Sequence, residues 1–207
     1  MNTDRIKIFV DQYLVGKYVS EFQWEPHEIH YVANYIAQVD TTAATRSLYG
    51  YMLLHGYGVP QNWVMATQCF TTASEGKFGD ATYQLAIMAS KGLGVPRNVG
   101  RAVILLKKAK KQHSVRAIHE LANCYAMGIG KTVNVPKAID LYIRAAREGC
   151  TESLNNLQYL FDQGLCTNEQ LRRAINCRPH HHTVLWSKIH NFIIYRGNRH
   201  EQLIDHQ

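Results

Sequence analysis

Residues 81–116, ATYQLAIMASKGLGVPRNVGRAVILLKKAKKQHSVR, hold the pattern that decides the fold of this chain. Leu85, Ala86 and Ala89 stand at the spacing that shares one helical face, and the small residues among them allow a neighbouring helix to come close. Gly92 follows at the point where such a helix should stop, because glycine takes the left-handed C-cap conformation at little steric cost. Gly92-Leu93-Gly94-Val95-Pro96 then reads as a tight connection, since proline cannot continue a helix without losing a hydrogen bond. Ala102, Leu106 and Ala109 supply a second helix with small residues toward the first. Such a pair cannot hide its apolar face alone, whereas a stack of pairs can.

The pattern recurs without insertion. Segments beginning at Thr45, Ala81, Ala117 and Ser153 follow one another at intervals of 36 residues. Tyr49, Leu85, Leu121 and Leu157 share one column, and Leu53, Ala89, Tyr125 and Phe161 another. Gly56, Gly92, Gly128 and Gly164 align, followed by Gly58, Gly94 and Gly130. In the second helix Ala66, Ala102 and Ala138 align, then Phe70, Leu106 and Tyr142, then Ala73, Ala109 and Ala145. The third unit departs at its turn. Lys131 stands where the first two units have Val59 and Val95, and Val135-Pro136 comes later, placing proline near the first position of the second helix.

The Gly-x-Gly-Val-Pro turns and the Ala-x3-Phe-x2-Ala helices resemble the Sel1-like repeat, a longer relative of the tetratricopeptide unit, over residues 45–149 and in part over 153–178. The period favours Sel1 over the shorter tetratricopeptide repeat. The resemblance implies an all-α chain, a right-handed αα-superhelix (solenoid) of helix-turn-helix repeats. The expected layout is an N-terminal helical hairpin cap over 1–44, repeats at 45–80, 81–116, 117–152 and 153–178, and a capping helix with a polar tail over 179–207. Helical spacing marks the cap in Ile29, Val32, Ala33, Ile36 and Val39, with an earlier helix near Asp4–Tyr18. Thr167-Asn168-Glu169-Gln170 resembles a capping box opening a helix through Leu171, Ala174 and Ile175, and a last helix is expected over Thr183–Tyr195.

Composition narrows the functional classes. The 207 residues are 46% hydrophobic, enough for a core, and no run approaches the length of a membrane span. Charged residues interrupt the first apolar stretch at Lys7 and Asp11, so no leader peptide is read there. Cys69, Cys124, Cys150, Cys166 and Cys177 are odd in number and lack a CxxC, which suggests free thiols in a reducing, cytoplasmic compartment, with delivery into a host cell compatible. The net charge of +7 gathers at Lys107, Lys108, Lys110 and Lys111 and between Arg172 and Arg199. No aromatic platform accompanies the lysines, so a solvated helix face is favoured over nucleic acid.

Chemical motifs are sparse. Gly128-Ile129-Gly130-Lys131-Thr132 ends like a phosphate-binding loop, but Tyr125 occupies the position of the required first glycine, and the segment is the repeat's turn. Cys177 and His180-His181-His182 are nitrogen and sulfur donors whose adjacency fits no closed zinc site. No Gly-x-Ser-x-Gly occurs, and no cysteine has an activating neighbourhood. No cofactor, metal or catalytic residue is expected.

By resemblance, partner contacts come from first-helix residues on the concave face. Register carries these positions onto Ser47, Tyr51, Leu54 and His55; onto Tyr83, Ile87, Ser90 and Lys91; onto His119, Asn123, Ala126 and Met127; and onto Asn155, Tyr159, Asp162 and Gln163. The expected function is a non-enzymatic adaptor or scaffold, monomeric, that holds another protein or peptide. Its family relatives include bacterial interaction modules and secreted effectors, with an immunity or regulatory protein that inhibits a cognate enzyme as the alternative.

Overall fold

A computed structural model of the chain describes residues 8–12, 24–39 and 42–175. Among the described residues, after a helical stretch at 8–12, nine helices follow in order: α1 (Pro26–Val39), α2 (Ala43–His55), α3 (Trp63–Glu75), α4 (Gly79–Lys91), α5 (Val99–Lys111), α6 (Val115–Met127), α7 (Val135–Arg147), α8 (Thr151–Asp162) and α9 (Asn168–Ile175). The described residues contain no strand. The helices pack consecutively as hairpins, α2/α3, α4/α5, α6/α7 and α8/α9, which makes the chain an αα-solenoid. The first helix of each pair begins at 43, 79, 115 or 151, two residues ahead of the segment starts at 45, 81, 117 and 153. The last segments, including the expected helix over Thr183–Tyr195, Cys177 and His180–His182, lie outside the described residues, as does most of the expected helix near Asp4–Tyr18.

Each turn is made by backbone chemistry that the sequence repeats. Gly56, Gly92 and Gly128 close their helices at φ of 76°, 77° and 74°, and their N–H groups donate to the carbonyls of Met52, Met88 and Cys124. A column that the sequence reading passed over then opens the second helix. Asn62, Asn98 and Asn134 accept through Oδ1 from the N–H groups of Met65, Arg101 and Lys137 at 3.0, 2.8 and 2.9 Å. This is N-capping. The same asparagines donate their own N–H to Leu53, Ala89 and Tyr125 carbonyls at 2.9, 2.8 and 2.8 Å, clipping the turn back onto the first helix. The signal was present as asparagine at every thirty-sixth position. In the third unit Pro136 sits in the opening turn of α7, as its place in the sequence implies. Lys131 keeps the turn and lies 3.6 Å from the centroid of the Tyr125 ring.

The second turn glycine sets the distance between units. A Cβ on Gly94 would stand 2.5 Å from the carbonyl oxygen of Trp63, at the start of the preceding unit's second helix. A Cβ on Gly130 would meet the Val99 side chain at 2.9 Å and the Val99 carbonyl oxygen at 3.2 Å, and one on Gly58 would meet the backbone of Ile29 and His30. In α1 the first unit therefore finds the support that later units find in a preceding second helix. Val32, Ala33 and Ile36 of α1 and Phe9 are buried in one core with Leu48, Tyr51, Leu54 and Phe70. The ring of Phe9 meets Trp24 edge-on at 5.1 Å. At the other end Thr167 and Gln170 form the expected reciprocal cap of α9, at 2.9 and 3.2 Å, and Leu171 and Ala174 close the core around Leu157 and Ile139.

Candidate partner-binding face

On α4, α6 and α8 the least covered residues recur every third or fourth position, the side that a stacked helix leaves open. Tyr83, Ile87 and Lys91 occupy it on α4; His119, Asn123 and Met127 on α6; Asn155 and Tyr159 on α8. Lys91, Met127, Asn155 and Tyr159 are exposed, and Tyr83, Ile87, His119 and Asn123 are half-buried. Met127 and Tyr159 stand out at 63% and 65% exposure. Ser90 and Ala126 flank the stripe half-buried, while Asp162 and Gln163 are exposed beyond it.

The first unit differs. Ser47, Tyr51 and Leu54, read from register as surface residues, are buried, and of that set only His55 is exposed. The N-terminal layer is the cause, because Tyr51 and Leu54 share their core with Phe9, Val32 and Ile36. Tyr51 also meets His55 in a tilted ring contact at 4.4 Å and stacks with Tyr57 at 6.2 Å between ring centroids. Burial, reinforced by the Lys91 charge from the next unit, holds the His55 imidazole below the usual histidine range.

Hydrogen bonds hold part of the stripe rigid. His119 Nδ1 and Ser153 Oγ are 2.8 Å apart, linking α6 to α8. Tyr142 Oη donates to Asn123 Oδ1 at 2.6 Å, and Asn156 Nδ2 donates to the same oxygen at 3.2 Å. His119 and Asn123 are thus spacers between first helices as well as lining residues. Sequence reasoning also missed the first-turn column of the stripe. Asp80, Arg116 and Glu152 lie in it 36 residues apart. Ser114 Oγ donates to Asp80 at 2.6 Å, and Arg116 reaches the same carboxylate at 4.0 Å. The backbone N–H of Glu152, at the start of α8, holds its carboxyl below the usual range.

The remaining sequence candidates take structural places. Gly128–Thr132 is the turn between α6 and α7. Lys107, Lys108 and Lys111 are exposed and Lys110 is half-buried at the C-terminal end of α5, where cations complement the helix dipole. Burial raises the thiol pKa of Cys69, Cys124, Cys150 and Cys166, the opposite of the lowered pKa that marks an activated cysteine. Among the described residues no helix is long and apolar enough to cross a membrane.

Stacked hairpins of this period with one open stripe define a solenoid of the interaction-scaffold class. A family model for the Sel1 repeat matches residues 46–77, 79–114 and 115–150, and the chain belongs to that family. Sel1 repeats are generally non-enzymatic scaffolds for protein interaction. A Sel1 repeat protein from Oxalobacter formigenes is similar in structure, with TM-score 0.63 and 24% identity over 81% of this chain and 67% of its own. A protective antigen present in uropathogenic Escherichia coli strains, displaying an SLR fold, aligns with TM-score 0.59 and 23% identity over 83% of this chain and 36% of its own length. Helicobacter pylori cysteine rich protein B aligns with TM-score 0.52 and 16% identity over 64% of this chain and 97% of its own. None of the curated proteins matches the chain.

Proposed function

We propose that the stripe on α4, α6 and α8 binds a segment of another protein and that the chain acts as a bacterial adaptor of this kind. The observation that carries the reading is the pair Met127 and Tyr159, 63% and 65% exposed on adjacent first helices, beside half-buried Tyr83 and Ile87. A large rigid ring gains contact area at modest entropic cost, and a flexible thioether adapts its shape to the surface it meets. Asp80, Arg116 and Glu152 add a mixed-charge border suited to fixing the register of a bound segment. The bacterial sources of the similar structures support a bacterial setting, in which a secreted effector role is one form of adaptor.

The test is comparative affinity capture with the wild type and a Tyr83→Ala, Met127→Ala, Tyr159→Ala variant. A captured protein that disappears with the triple variant, while helical circular dichroism and melting stay unchanged, is the expected result. Identical capture by both forms rules out the stripe as the binding face.

A further inference from the structure

On the opposite side of α2 from Tyr51 and His55, helices α1, α2 and α3 enclose a cleft of about 440 Å³. Arg46 and Tyr49 line it from α2, Ile36 from α1, and Met65, Cys69 and Thr72 from α3. The Nε atom of Arg46 is buried there without a hydrogen-bond partner. An unpaired buried donor on a charged group is costly, and native structures leave few of them.

The next junction shows how the repeat ordinarily deals with this place. Thirty-six residues on, Arg46 is replaced by Thr82. The hydroxyls of Thr82 and Ser74 are 2.7 Å apart, Gln112 Oε1 accepts from Thr82, and Lys108 Nζ donates to Ser74 Oγ at 2.9 Å. Every polar group in that list has a partner within the protein. One unit back, the positions of Gln112 and Ser74 are held by Gly76 and Gln38, and Gly76 has no side chain to offer. The first junction carries its cation on Arg46, has Thr72 where its counterpart has Lys108, and has lost the acceptor that Gln112 supplies.

The chemistry of the gap is specific. An arginine fork takes a carboxylate through two parallel hydrogen bonds. Burial raises the pKa of both Cys69 and Tyr49, so at neutral pH neither provides a counter-charge to Arg46. Met65, 43% exposed and lining the cleft with Arg46, offers apolar surface there. We propose that this cleft is a carboxylate-binding site in which Arg46 takes the acid group and Met65 takes an apolar neighbour, as in an acidic residue followed by a leucine. It lies on a different side of the array from the stripe and stands independently of that reading.

The experiment uses the full chain with three probes at matched ionic strength: acetyl-Glu-Leu amide, its acetyl-Gln-Leu counterpart, and succinate. One readout is the nitrogen-edited NMR signal of Arg46 Nε–H, assigned by its loss in Arg46→Lys. The other is the rate of alkylation of Cys69 by iodoacetamide, followed on its own peptide by mass spectrometry. Expected are a saturable shift of the Arg46 signal and at least a several-fold slowing at Cys69 with the glutamyl probe, neither effect with the glutaminyl probe, and no slowing in Arg46→Met. Succinate acting as well supports a free acid as the occupant, and succinate failing supports a peptide-borne one. No response to either acid, or equal responses to the glutamyl and glutaminyl probes, overturns the proposal. The signal of the unsubstituted protein decides this even if Arg46→Met does not fold.

Discussion

Replacing Gly94 by alanine separates two costs that the repeat places in a single turn. Its φ of 66° belongs to the left-handed region, where a side chain costs about 1–2 kcal/mol. Gly92, two residues earlier, carries the same backbone cost at φ 77°. A methyl on Gly92 would meet the Arg97 Cβ at 3.2 Å and the Arg97 backbone nitrogen at 3.4 Å, contacts that a shift of a few tenths of an ångström relieves. On Gly94 it would lie 2.5 Å from the Trp63 carbonyl oxygen and 2.6 Å from its carbon, both of them backbone. A relaxed carbon–oxygen approach is about 3.3–3.6 Å, so the turn must lift by roughly 1 Å from the start of α3. Overpacking of that kind costs about 1–3 kcal/mol. Gly92→Ala is therefore expected to lose about 1–2 kcal/mol and Gly94→Ala about 2–5 kcal/mol. Urea unfolding followed by far-ultraviolet circular dichroism measures both. The two sites share one turn, so any weakened cooperativity along the stack affects them alike. Losses equal to within about 0.5 kcal/mol would refute the idea that the turn is seated on the preceding unit.

Other outcomes follow from single groups. Asn98→Ala should cost about 1 kcal/mol in the same unfolding measurement, because the cap to Arg101 N–H at 2.8 Å disappears; an unchanged midpoint would show that water replaces it freely. Tyr142→Phe should cost about 1 kcal/mol by removing the 2.6 Å bond to Asn123 Oδ1, and the loss should shrink in an Asn123→Ala background, as a double-mutant cycle will show. His55 titrates below the usual 6.5, so the unfolded chain takes up its proton first as pH falls. Its contribution to stability is whole above that usual value and drains away as pH drops toward the folded midpoint. Lys91→Gln should raise the His55 midpoint in an imidazole NMR titration, and a midpoint that stays or falls would contradict the charge coupling.

Much of this structure was legible before any coordinates. Gly56, Gly92 and Gly128 read as helix ends because the left-handed conformation is a local property, and each adopts it. Pro136 read as a helix opening for the same kind of reason, and the Thr167–Gln170 cap is closed by residues three apart. The asparagine column at 62, 98 and 134 was equally local and equally periodic, but its polar residues fell outside an apolar search. The open stripe was found on α4, α6 and α8 because a helix shows solvent the side it cannot bury.

The sequence by itself determined the period, the helix pairs, the turns and the direction in which the stripe points, since each depends on a few neighbouring residues and repeats with them. Tertiary structure alone decided which of those positions reach solvent. Ser47, Tyr51 and Leu54 stand in register with half-buried or exposed partners yet lie buried, and Arg46 keeps a buried, unpartnered nitrogen that its counterpart Thr82 does not have. The reason is physical: exposure and pairing depend on what covers a residue, and where the N-terminal layer meets the first unit that cover is not periodic.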